Sequence, residues 1–155
     1  MSIFSNILTK SIKHNKLFFL SDKKMNNKIL SPRVPNNYFT KNGYEDAKTK
    51  RVCFAASIDK ALMALSSNLT NKEFYIHIPV GKYTTYKPST KEVPDSKITG
   101  EIWVLNPVKI ICIGKIIVIK DKGLEGHKFK YGDNKEAELY DWEWKWIEKY
   151  DKVIK

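Results

Sequence analysis

The apolar positions of this chain change period several times, and each change marks an element. Residues 2–15 (SIFSNILTKSIKHN) set Ile3, Phe4, Ile7, Leu8 and Ile12 at helical spacing, with Lys10 and Lys13 opposite. That pattern predicts an N-terminal amphipathic helix over residues 1–15. KLFFLS (16–21) reads as a buried strand. Residues 22–50 hold Pro32, Pro35, Gly43 and several Asn, and predict a long loop or several short elements. KRVCFAA (50–56) predicts a second strand, after which Ser57 is placed to cap a helix with Asp59 in its first turn. Ile58, Ala61, Leu62 and Leu65 give that helix a core-facing stripe, with Asn68 or Asn71 as its stop.

EFYIHIPV (73–80) alternates as a strand does, and residues 81–97 read as a loop. TGEIWVLN (99–106) and PVKIICIGKIIVIK (107–120) predict two strands broken at Pro107. Gly123, Gly126 and Gly132 punctuate a hairpin-like connection. In the last segment Leu139, Trp142, Trp146, Tyr150 and Val153 recur at three or four, which predicts a helix over 134–152. Trp142, Trp144 and Trp146 also alternate as a strand would. The sum is a single domain, 1–155, of class α+β with more strand than helix.

Composition narrows the function classes. The chain has 155 residues and a net charge of +11, of which the first 100 residues carry +10. A hydrophobic content of 42% excludes a disordered chain, and no apolar run reaches the ~18 residues of a membrane-spanning helix. Two distant cysteines, Cys53 and Cys112, and three histidines without metal spacing argue against a disulfide framework or a zinc site. Buried thiols in a reducing cytoplasm are the expectation. The acid-free start reads first as a short helix packing on the domain; touching membranes or targeting the chain is the alternative, and no small-residue cleavage site follows it. Of the 28 basic residues 26 are lysine. That bias matches an AT-rich coding sequence and singles out Arg33 and Arg51 as residues chosen for a forked guanidinium.

No Gly-rich phosphate loop, HExxH, GxSxG or CxxC occurs. Three segments stand out together: KLFFLS, KRVCFAASIDKAL and TGEIWVLNPVKIICIGKIIV. Their order is a strand, a strand leading into a helix, and a strand headed by a carboxylate. In this the sequence resembles the ADP-ribosyltransferase superfamily, and it is similar to a poorly characterised group of small bacterial and phage proteins with PRxP and RVCFA patterns. The resemblance implies a split, mainly antiparallel β-sheet whose cleft binds NAD. It places Phe19 (or Phe18, one register away) at the family's histidine, Cys53 at its tyrosine and Glu101 at its catalytic glutamate. Phenylalanine lacks the family's hydrogen bond and cysteine offers little stacking area, so only the carboxylate remains of that set.

The leading expectation is therefore a binder of a small anionic nucleotide: NAD, ADP-ribose or a cyclic nucleotide signal, held in sequestration of the phage counter-defence type. Glu101 is the candidate catalytic residue, and Arg33, Arg51, Phe19, Cys53, Ser57 and Tyr38 are the candidate ligand contacts. Arg33 lies in SPRVPN, where two prolines stiffen a guanidinium that forks onto a phosphate or pairs at the surface. Tyr38, Phe39 and Tyr44 either form an adenine-stacking lid or anchor their loop. An active NAD-dependent transferase or hydrolase using Glu101 is the alternative. Charge-driven nucleic-acid binding comes third. It lacks an RNP, zinc-finger or recognition-helix signature, and Glu136, Glu138, Asp141, Glu143 and Glu148 surround the tryptophans. The Trp-rich helix also offers a surface for homo-oligomers.

Overall fold

The computed structural model describes residues 16–65 and 68–150. The amphipathic segment expected over residues 1–15 lies outside them. Ten strands and three short helices are formed among the described residues. They are β1 (Phe19–Ser21), β2 (Lys28–Leu30), α1 (Tyr38–Lys41), β3 (Val52–Phe54), α2 (Ile58–Ala64), β4 (Glu73–Val80) and β5 (Thr85–Tyr86). There follow α3 (Ser96–Thr99), β6 (Ile102–Val104), β7 (Val108–Asp121), β8 (His127–Tyr131), β9 (Lys135–Leu139) and β10 (Trp142–Lys149). The class is α+β with antiparallel pairing throughout.

β7 is the spine. Its fourteen residues alternate between buried Ile110, Cys112, Ile116 and Val118 and more exposed neighbours such as Lys109, Lys115 and Ile117. One edge takes β4, with Phe74 opposite Ile116 and Ile78 opposite Ile111. The other edge takes β2 near its start and β10 over its second half. β1 adds to the far side of β4, so the sheet runs β1-β4-β7-β10, with β2 pairing β7 off that path. A second, three-stranded sheet has the order β3-β6-β5, and β8 and β9 form a separate hairpin.

The C-terminal segment is strand, not helix. β9 and β10 occupy 135–139 and 142–149, which corrects the helix expected over 134–152. The period-2 reading of the tryptophans wins because β7 has an open edge exactly where a helix would leave backbone groups unpaired. Trp142, Trp144 and Trp146 all pack against the cluster of Leu62, Ile76, Ile116 and Val118, while Glu143 and Lys145 point to solvent. Their packing inward also removes the helical surface that was to carry oligomers. Two register shifts, at Glu143/Trp144 and Trp146/Glu148, let β10 keep its tryptophans on one face. α2 also stops earlier than Asn68, with Leu65 as its C-cap residue.

Gly114 makes the β7–β10 contact possible. Its φ is +156°, and a Cβ there would come within 2.7 Å of the Trp146 ring. Gly114→Ala is therefore expected to destabilise the fold by ~2 kcal/mol or more. Urea unfolding measures this, and a change within ~0.5 kcal/mol would remove Gly114 from the account of how β10 docks.

Candidate functional site

The two sheets are pinned together just before β1. Phe18 and Ala55 exchange backbone hydrogen bonds of 2.8 and 3.0 Å. A second bridge joins Arg33 to Arg51, at 3.0 Å in both directions. Among the described residues, the β3 edge forms no bridge between these two pins, and a cleft of about 630 Å³ opens there. Its apolar wall comes from Phe19, Met25, Leu30, Phe39 and Val52. Its polar groups are Lys28, Arg33, Glu45, Arg51, Cys53, Asp95 and Glu101. A smaller apolar recess of about 170 Å³ adjoins it past Phe19, Cys53 and Glu101.

Phe19 is held in place by His77. The His77 ring is fully buried, and its Nε2 accepts from the Met25 amide at 2.9 Å. The other ring nitrogen therefore carries the proton and faces the Phe19 carbonyl at 3.3 Å. Burial pushes this imidazole's pKa down. The neutral ring packs edge-on to Phe19, with centroids 6.2 Å apart. His77 is a structural residue that secures one wall of the cleft.

Arg51 is the centre of the polar side. Its side chain is 0% exposed. One terminal nitrogen donates to the carbonyls of Asp46 (2.8 Å) and Thr49 (2.9 Å), and the other donates to Glu45 Oε2 (2.9 Å). The guanidinium stacks 4.1 Å from the ring centroid of the fully buried Trp103. Trp103 in turn donates from Nε1 to Glu101 Oε2 at 2.6 Å. Of the three guanidinium nitrogens, Nε, also buried, has no hydrogen-bond partner among the described residues. The expectation that Arg51 forks onto a phosphate is corrected here, because its fork is already spent on protein carbonyls and a carboxylate.

Three carboxyl groups, Glu45, Asp95 and Glu101, line this side of the cleft. Burial and the neighbouring Glu101 raise the Glu45 pKa to about 7, even though Arg51 pulls the other way. Burial, again with Glu101, raises Asp95 to about 6. Glu101 is raised by burial too, opposed by its bonds to Trp103 and Cys53 and by the charge of Arg51. The Cys53 thiol, buried beside Glu101, is pushed up to about 12. A thiol so reluctant to ionise holds little of the thiolate that nucleophilic attack needs.

Phe19, Arg33, Cys53 and Glu101, which come from well-separated parts of the chain, thus share one cleft. Phe19, rather than Phe18, lines its larger chamber. Arg33 sits exposed at the rim with no ion-pair partner among the described residues. Two expected ligand contacts fall elsewhere. Ser57 Oγ is committed to the Lys60 amide at 3.1 Å as the N-cap of α2. Tyr38 is 51% exposed and packs on Phe39 and Tyr44, so the cleft wall is built by Phe39 instead. Glu45 and Asp95 were not legible as site residues. Their one local signal is that Glu45 and Asp46 are the first acidic residues after Asp22 in a lysine-rich stretch.

Comparison of the chain with protein-family models, with curated proteins and with solved structures finds no match.

The raised carboxyls make stability depend on pH. A carboxyl whose folded pKa exceeds its unfolded value binds its proton more tightly in the folded state. Stability is therefore lost as pH rises from the ordinary 4.5 of Glu45 to about 7, and stays lost above that. Glu45→Gln mimics the protonated form. Between pH 4.5 and 7 its stability is expected to gain ~2–3 kcal/mol relative to the parent chain. Chemical unfolding of both proteins across that range measures the difference, in which contributions from His77 cancel. A flat difference would mean that Glu45 is not held protonated.

Proposed function

We propose that the cleft binds a pyridine nucleotide, NAD in its oxidised form, in an ADP-ribosyltransferase-like split sheet. The observation that carries this reading is the convergence of Phe19, Cys53 and Glu101 on one cleft where two sheets part. Those are the three positions that the resemblance assigns to the nucleotide site. The charge layout supports the oxidised dinucleotide over ADP-ribose or a cyclic nucleotide. A cleft wall with Glu45, Asp95 and Glu101 repels phosphate and favours a ring that carries positive charge and a ribose that donates hydroxyls. Lys28 and Arg33, both exposed, offer the phosphates a cationic rim. Arg51 Nε is a further buried donor available to an acceptor on the ligand.

The reading is of a binder rather than a transferase. Glu101 already accepts the Trp103 indole N–H at 2.6 Å, and burial raises its pKa against the pull of that bond and of Arg51. A carboxylate oxygen already engaged by an indole N–H is less free to stabilise a developing oxocarbenium ion. No cation-assisting histidine or stacking tyrosine stands at Phe19 or Cys53. Sequestration of the intact nucleotide fits these groups better than its consumption.

Calorimetric titration tests the reading. NAD in its oxidised form is expected to bind about tenfold more tightly than ADP-ribose, a difference of ~1.4 kcal/mol. Its affinity should fall as pH drops from 7.5 to 5.5, since Glu45 and Asp95 gain protons there and lose their attraction for the ring. Arg33→Ala should weaken both ligands alike. Chromatography should recover the nucleotide unbroken. Equal affinity for the two ligands, or no heat with either at high protein concentration, would sink the proposal.

A further inference from the structure

The β8–β9 hairpin stands apart from both larger sheets, and among the described residues none of its side chains lines the Phe19 cleft. It nevertheless meets the cleft wall from behind. Alternation along β8 puts Phe129 and Tyr131 on one face and leaves Lys128 and Lys130 exposed on the other. The apolar face is seated on the body of the protein. Phe129 and Leu139 are buried with Met63 of α2, and Phe39 of α1 packs against that cluster. Side-chain packing fixes the hairpin in place.

The tip of the hairpin grips the segment that carries two cleft residues. The Tyr131 ring lies edge-on to Phe39 and to Tyr44, with centroids 5.0 Å apart in both pairs. Lys135, the partner of Tyr131 across the turn, donates from Nζ to the Tyr44 hydroxyl at 2.6 Å. Gly132 between them lets the turn close on the Tyr44 ring, since a Cβ there would stand 2.5 Å from Tyr44 Cε1. Tyr44 in turn is tied to both cleft residues. The amides of Tyr44 and Glu45 donate to the Phe39 carbonyl at 2.9 and 3.2 Å. Phe39 belongs to the apolar wall of the cleft, and Glu45, next in the chain after Tyr44, belongs to its acidic wall. Holding Tyr44 from outside therefore holds Glu45 against Arg51, from which its Oε2 accepts at 2.9 Å.

We propose that Tyr131 and Lys135 are positioning residues of the cleft: acting through Tyr44, they set where Phe39 and Glu45 stand, and through Glu45 they tune the selectivity for an oxidised pyridine nucleotide. The selectivity clause rests on the nucleotide reading above, and the positioning does not. The geometry has a consequence that can be read at one carboxyl. Glu45 keeps its proton up to about 7 because it is buried beside Glu101 and Asp95, while the charge of Arg51 pulls the other way. Burial is the largest of these influences. A segment released by the hairpin admits water to Glu45, so its titration falls toward the ordinary carboxylate range even as it loses Arg51.

A carboxyl carbon-13 NMR titration of the full chain tests this, with the Glu45 signal assigned by its loss in Glu45→Gln. In Tyr131→Ala and in Lys135→Met, Glu45 is expected to titrate at least about one pH unit below the parent chain. Tyr131→Phe keeps the ring that grips Tyr44 and should match the parent, as should Lys130→Met on the exposed face of the hairpin. Lys135 is itself exposed, so its variant decides the matter even if Tyr131→Ala fails to fold. Parent-like titration in Lys135→Met, or an equal fall in Tyr131→Phe or Lys130→Met, would overturn the positioning. Calorimetry at pH 7.5 forms the second arm. There the roughly tenfold preference for oxidised NAD over ADP-ribose should shrink to about threefold or less in Lys135→Met. A moved carboxyl with an unchanged preference would overturn the selectivity clause. No heat from either nucleotide with the parent chain would strike the nucleotide reading and that clause with it, while the carboxyl titration still decides the positioning.

Discussion

The structure turns on a buried arginine. Arg51 has no exposed side-chain surface, and removing a guanidinium from water costs several kcal/mol unless its donors and its charge are met. Around it the chain arranges two backbone carbonyls, the Glu45 carboxylate and the face of Trp103. Asp46 Oδ1 stands 3.6 Å away as a second counter-charge. Meeting those needs folds the 44–50 stretch over the start of β3. It also fixes Trp103 across the β3–β6 ladder, where Cys53 is the residue opposite. Glu101 is then positioned by the indole that Arg51 stacks upon. The polar half of the cleft follows from satisfying one cation.

That solution concentrates negative charge. Satisfying Arg51 needs about one carboxylate, but Glu45, Asp95 and Glu101 all lie within reach of one another. Burial, with the charge of Glu101 beside them, raises the pKa of Glu45 and Asp95, and burial raises that of Glu101. These carboxyls therefore keep their protons to higher pH than free ones do. The rest of the molecule is insulated from them. The β4–β7–β10 core is apolar, with Ile76, Ile116 and Val118 fully buried, and neutral His77 is the polar group that connects that core to the cleft wall.

Much of this was legible along the chain. The strands at 16–21, 50–56, 73–80, 99–106 and 107–120 all formed near their expected places, since β-branched and aromatic runs bounded by Pro, Gly and Asn have few other uses. The break at Pro107 and the Ser57 cap were local chemistry and were read from local sequence. The C-terminal segment was not. Its residues satisfy both a 3.6-residue and a 2-residue period, and each is locally acceptable. The tie was broken by the unpaired edge of β7, which is a partner more than twenty residues away in sequence for most of the contact.

What the sequence alone determined is the inventory: an α+β chain, a carboxylate at the head of a strand, two rare arginines and the aromatic pair at 18–19. Those follow from short-range periodicity and residue type. Only the tertiary structure decided which arginine was free. Arg33 and Arg51 look alike in sequence, yet backbone pairing sets them side by side with one exposed at the rim and the other sealed beneath Trp103. The companions Glu45 and Asp95 were likewise chosen by the fold. Burial and the proximity of charges are properties of three-dimensional neighbours, and no spacing along the chain encodes them.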